Sequence, residues 1–212
     1  MASPPASSQA PAGRRFVDRA GPQPRSARQP STAGHVPADD YRGLMSRFPT
    51  GVAVVTTTDP VGRPRGLTCS SLSSVTTAPP VLSVCLKAPS STLDALVARQ
   101  AFAVNLLHTG GQAAARVFTT AVAERFAHVD WRPSPVLGLP WLSGDALALA
   151  GCRVRQLIEV GDHVLVLGEV VEVHRAGGVP LLYGLRRFAD WPAAEQDAEV
   201  PAAVGARGVA AP

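Results

Sequence analysis

Apolar residues in this chain fall into short runs broken by proline, glycine and hydroxyl residues, and helical spacing is confined to brief stretches. Val52 to Thr58 is rich in β-branched side chains and predicts a strand, ended by the turn Asp59-Pro60-Val61-Gly62. Leu67 to Val75 alternates imperfectly and is dense in hydroxyls. Pro79-Pro80 breaks the chain, and Val81 to Leu86 and Phe102 to Leu107 predict buried strands. Ala146 to Val160 and His163 to His174 predict two long strands around Gly161-Asp162, a hairpin turn signal. Leu181 to Tyr183 predicts a last strand. The helices are short. One is capped by Asp39 or Asp40, reaches Arg47 and turns Tyr41, Leu44, Met45 and Phe48 inward. A second opens at Ser91-Thr92-Leu93-Asp94 with a capping-box-like pattern. A third covers 112–119, with Ala113, Val117 and Phe118 on its apolar side.

Strands that come in runs, without regular intervening helices, predict a mainly β fold. A closed or nearly closed antiparallel barrel fits best. No Gly-x-Gly-x-x-Gly follows a strand, so no Rossmann site is visible.

Composition sets the outer limits. With 212 residues and 46% apolar content, the chain supports one ordinary domain with a real core. Residues 1–36 are rich in Pro, Ala, Ser and Arg and predict a disordered tail. Residues 193–212 read the same way, which leaves 37–192 as the ordered domain. The net charge of +4 is concentrated in the first tail, with five arginines against one aspartate. The core is nearly balanced, which argues against a duplex-binding face. No run is long enough to cross a bilayer and no secretory signal opens the chain, so a soluble cytoplasmic protein is expected. Cys69, Cys85 and Cys152 are odd in number and widely spaced, which fits reduced thiols better than a disulfide frame or a metal site.

Four stretches offer chemistry. Gly66 to Thr76 holds six hydroxyls, which can meet the edge of a polar ring without fixed charge. The same pattern also describes a solvated edge strand. Lys87, the single lysine, stands beside Ser90, Ser91 and Thr92 where a strand gives way to a helix. Free N–H groups and the helix dipole attract an anion there, and a phosphate monoester fits. Plain capping by Ser90 or Ser91 is the competing reading. Gly161-Asp162-His163 is either a simple hairpin turn or a place where imidazole meets a nucleotide. Arg125 to Trp131 is either a flap over a flat ring or aromatic packing on the barrel.

In this order the chain from Tyr41 to Phe188 resembles the flavin reductase-like family, the reductase components of two-component flavin-dependent monooxygenases. The matching pieces are Phe48-Pro49-Thr50-Gly51-Val52, Gly66-Leu67-Thr68 with Ser70-Ser71-Leu72 and Ser74-Val75, then Pro79-Pro80 and Lys87 with Ser90 to Thr92. Phe102-Ala103-Val104-Asn105, Arg125-Phe126, Gly161-Asp162-His163, Gly168-Glu169-Val170 and Pro180-Leu181-Leu182-Tyr183 complete the series.

The resemblance implies an antiparallel split β-barrel, usually a homodimer, that reduces FMN or FAD with NADH or NADPH. The reduced flavin would pass to a partner monooxygenase. The implied flavin-binding set is Thr50, Thr68, Cys69, Ser70, Ser71, Ser74, Val75, Lys87, Ser90, Ser91, Thr92 and Phe126, with Cys69 as a packing residue. Gly161, Asp162 and His163 would serve the nicotinamide nucleotide. No side chain is expected to act as nucleophile or acid–base catalyst, because the hydride moves between cofactors. A non-catalytic flavin-binding dimer and an FMN-dependent oxidase of the same fold are the alternatives. Nucleic-acid binding through the arginine-rich tail is a third.

Overall fold

A computed structural model of the chain describes residues 34–120 and 124–191. The chain divides into a unit of residues 1–37 and a unit of residues 38–212. Of the first unit only 34–37 are described, and they are exposed. The rest of both expected tails lies outside the described residues.

The second unit carries the regular structure. Its elements are α1 (Ala38–Met45), β1 (Thr50–Gly51), β2 (Ala53–Thr58), β3 (Pro64–Cys69), β4 (Ser73–Thr77), β5 (Pro80–Lys87), α2 (Ser91–Arg99) and β6 (Ala101–Leu107). They continue with α3 (Gln112–Thr119), β7 (Arg132–Pro133), β8 (Pro140–Trp141), β9 (Ala146–Val160), β10 (His163–Arg175), β11 (Leu181–Gly184) and β12 (Arg187–Asp190). Seven strands form one antiparallel sheet in the order β3-β2-β6-β9-β10-β5-β4. Its two ends curl toward one another. Between β3 and β5 the junction is made by a side chain, because Ser71 Oγ accepts from Cys85 N–H and donates to Cys85 C=O, both at 3.0 Å. The fold is thus a mainly β split barrel.

The sheet is buried on both faces where β2 and β6 cross its middle. Val52 and Val54 with Ala101 and Ala103 point to an outer core shared with α3, the 137–142 segment and Leu181. Ala53 and Val55 with Phe102 and Val104 point to the barrel interior, with Val84, Leu86, Val166 and two leucines of α2. Two-faced burial explains why these strands read as continuous apolar runs.

Several expectations need correction. The stretch Leu67 to Val75, whose hydroxyl pattern also described a solvated edge strand, divides between two: β3 and β4 lie at opposite ends of the sheet order, joined across 70–72. Residue-level alternation could not show this, because the break depends on distant pairing. The helix reaching Arg47 stops at Met45, with Asp39 and Asp40 in its first turn. Its apolar side chains face outward: Tyr41 is 58% exposed, Leu44 65% and Phe48 64%. Among the described residues the sheet's core is already closed, and none of this helix is buried against it. In α3 the buried positions are Ala114, Ala115 and Phe118, while Ala113 is exposed. The cap of α2 is Ser90, one residue earlier than the capping-box reading. Strand β12 has no counterpart in the sequence reading.

Candidate flavin-binding groove

β5 alternates with Val84 and Leu86 inward, so Cys85 and Lys87 share the opposite face. β3 runs nearby, and its end turns outward at Ser70. Between them lies a groove of about 1020 Å³. One wall is Leu67 to Ser71, the other Cys85 to Lys87. The start of α2 closes one end with Ser90, Ser91 and Thr92, and Asp162 and His163 stand on the lip.

The phosphate-sized end follows from local structure. Ser90 has extended backbone (φ −154°, ψ 127°), and its Oγ accepts from Leu93 N–H at 3.4 Å. One of the free N–H groups is therefore capped, and the others in the first turn remain. Lys87 ends β5 and pairs across the sheet with His163. The hairpin is tied in at this point, because Ala88 N–H donates to Asp162 C=O at 2.8 Å. His163 Nδ1 lies 2.7 Å from Asp162 Oδ1. That hydrogen bond, the charge of His163 and then Lys87 hold the Asp162 carboxyl below its usual range.

The hydroxyl wall is partly committed to the fold. Thr68 Oγ1 donates to Ala115 C=O at 2.7 Å, which anchors α3, and its lone pairs stay available. Ser71 closes the barrel as described. Cys69 is 5% exposed, with its Sγ 3.2 Å from Ser71 Oγ. Ser70 is exposed. Gly66 is required where β3 passes α3: a Cβ there would meet Phe118 Cε1 at 2.9 Å and Thr56 Cγ2 at 3.2 Å.

Of the predicted residues, Thr68 to Ser71, Lys87, Ser90 to Thr92, Asp162 and His163 come together in this groove. Thr50 lines an adjoining cavity of about 870 Å³ that shares Ser70 and Ser71. Ser74 and Val75 are exposed on β4 and line neither cavity. Gly161 forms the turn at φ 60° behind the lip. Phe126 does not line the groove. Its ring packs edge-on between Phe118 (5.0 Å) and Trp131 (5.7 Å), which is the aromatic-packing reading of that stretch.

Sequence reasoning missed Cys85, Phe118 and Thr119 in the lining. The two-residue period of β5 was the available signal for Cys85. Arg125 also borders the groove, but its guanidinium is engaged by Gly66 C=O at 2.8 Å and Thr120 C=O at 2.5 Å. Beyond Thr68, Ser70 and Thr119 the groove opens into a further cavity of about 600 Å³ bordered by α3, β11 and β12.

An antiparallel split barrel with a hydroxyl-lined groove ending at a cation and a helix start defines a class of nucleotide-binding barrels. The flavin reductase-like domain model matches residues 45–192, and the chain belongs to that family. It is 58% identical over 157 residues to a flavin reductase (NADPH) of Lentzea aerocolonigenes, covering 74% of this chain and 92% of that one. It is 41% identical over 193 residues to a flavin reductase (NADH) of Kitasatospora aureofaciens, covering 88% and 99%. Among solved structures it matches the NADH:FAD oxidoreductase SgcE6 of Streptomyces globisporus C-1027, in complex with NAD and FAD fragments. That match has a TM-score of 0.70 and 34% identity over 79% of this chain and all of that one.

Proposed function

We propose that the groove between β3 and β5 holds the flavin, with its phosphate at the start of α2. The single observation that carries this is the convergence of Lys87, Ser90, Ser91 and Thr92 at one end of a cavity otherwise walled by hydroxyls and apolar surface. The residues fit the group. The volume suits a ligand of this size, since small-molecule sites run to about 1,000 Å³. Lys87 and the helix N–H groups suit a phosphate. Half-buried Leu67 offers apolar surface to a flat ring, and Thr68 and Ser70 offer polar contacts to its edge.

The chain is an NAD(P)H-dependent flavin reductase. Bound in the groove, the flavin supplies the hydride acceptor for the nicotinamide nucleotide. The protein's own contribution is placement: holding two flat ligands together replaces a bimolecular encounter with an oriented one. His163 and Asp162 sit where they can bond the nicotinamide nucleotide. Neutral hydroxyl contacts suit a flavin that must leave, because its release strands few buried charges.

The released flavin serves a separate monooxygenase. Supporting this are the likeness to nitrilotriacetate monooxygenase component B of Mycobacterium thermoresistibile (30% identity, TM-score 0.70) and to the styrene monooxygenase flavin reductase of Pseudomonas putida S12 (27%, 0.66). A homodimer accounts for the exposed apolar face of α1 and for Leu157, Ile158 and Val160 on the β9 tip. No described helix is long and apolar enough to cross a membrane, and we place the protein in the cytoplasm.

Steady-state assays pairing each nicotinamide nucleotide with FMN and with FAD test the reading. Nucleotide consumption is expected, with bleaching of the flavin when oxygen is excluded. No consumption with any pair overturns it.

A further inference from the structure

The groove and its neighbour differ sharply in charge. A second cavity of about 600 Å³ opens beyond Thr68, Ser70 and Thr119, and three arginines line it: Arg116, Arg186 and Arg187. No carboxylate lines it. None of the three guanidiniums has an ion-pair partner among the described residues, whereas Arg42, Arg65 and Arg155 are each paired with an acid.

The cluster is built. Arg116 projects from α3, and its guanidinium carbon lies 5.2 Å from the centre of the Phe188 ring, which orients it without neutralising it. Arg186 and Arg187 come from the turn and first residue of the β11–β12 hairpin. That turn holds Leu185 and Arg186 at φ 50° and 62°, a left-handed pair that glycine or asparagine normally fills. Leu185 N–H donates to Ser46 C=O at 2.6 Å and ties the turn to the end of α1.

Two phosphorylated ligands must meet in the groove, and this argument rests on that reading. The Lys87 end can serve only one of them. Arg125 borders the groove itself, with two of its five N–H donors held by backbone carbonyls, and is not part of the neighbouring cavity. We propose that Arg116, Arg186 and Arg187 form a second anion subsite, which takes a phosphate group from the adenylate half of a dinucleotide whose other half lies in the groove. The chemistry is shared by two sources: the adenylate of FAD and that of the nicotinamide nucleotide. Guanidinium forks suit phosphate oxygens in either case.

The test uses the full-length protein and the variants Arg116→Gln, Arg186→Asn and Arg187→Gln. Arg186→Asn keeps a residue that tolerates the left-handed backbone. Arg63→Gln, on the exposed turn before β3, controls for net charge. Calorimetric titration with ADP and with 2′,5′-ADP reads the subsite without turnover. Each subsite variant is expected to weaken binding about tenfold, the size of one charge-assisted contact, and the control to leave it unchanged. KM values then identify the source. A rise for FAD but not FMN assigns the flavin adenylate. A rise for both NADH and NADPH, with FMN as flavin, assigns the nicotinamide pyrophosphate, and a rise for NADPH alone assigns the 2′-phosphate. Unchanged ADP binding and unchanged KM values in all three variants, with turnover intact, overturn the subsite and leave the reductase standing. Arginine-dependent ADP binding without turnover under any pairing does the reverse.

Discussion

Asn105 has no exposed surface and three hydrogen bonds. Its amide donates to Val54 C=O at 2.9 Å and Thr56 Oγ1 at 3.2 Å, and its carbonyl accepts from Leu142 N–H at 2.8 Å. It pins the 140–142 segment to the middle of the sheet. Asn105→Leu strands a buried N–H and should cost roughly 2–4 kcal/mol in urea unfolding with an unchanged slope. Asp145 acts in the opposite sense. Burial pushes its carboxyl up, His108 draws it back and Asp130 pushes it further. The folded state therefore binds the proton more tightly than the unfolded state. Stability is full below the ordinary carboxylate value and is lost as pH rises through the raised one. Asp145→Asn should raise Tm at neutral pH, with the gain vanishing below about pH 4. In the groove, Lys87→Ala should weaken FMN about tenfold in fluorescence titration and riboflavin hardly at all. Equal weakening would place the phosphate elsewhere.

At the scale of elements, β9 and β10 set the frame, and their turn was readable because Gly161 supplies the left-handed backbone a tight hairpin requires. The bulge at Gly168 was not readable. The register shifts there, and a Cβ would lie 2.4 Å from Phe102 Cζ in a fully buried site. Gly168→Ala should cost about 1–3 kcal/mol by overpacking, measured by thermal unfolding. The break in the hydroxyl-rich stretch was not readable for a similar reason. Local pattern marks extended chain, but Ser70 to Leu72 carry it from one end of the sheet order to the other. Ser71 was read as a ligand contact; it lines the groove, and its hydroxyl also closes the barrel on Cys85.

At the scale of the whole molecule, α1 presents an uncovered apolar face among the described residues. An amphipathic pattern says that a face will be covered, and the helix was read as folding onto its own core. The chain leaves Tyr41, Leu44 and Phe48 exposed beside the cavity that Thr50 lines. Grouped exposed apolar residues mark an interface. Light scattering should give a mass of two chains, and the double variant Leu44→Glu, Phe48→Ser should give one. A wild-type monomer would sink the dimer.

Strand content, the long hairpin, the helix start at position 91 and its lysine were all legible along the chain, because each depends on neighbours a few residues apart. The cation and the hydroxyls could be picked out as candidates for the same reason. Tertiary structure decided which of them meet. It carried Thr68 and Lys87 to one groove, left Ser74 and Val75 outside it, gave Phe126 to aromatic packing and gathered three arginines from two distant elements. Those outcomes depend on sheet order and barrel closure, where the partners are many residues apart and no local period records them.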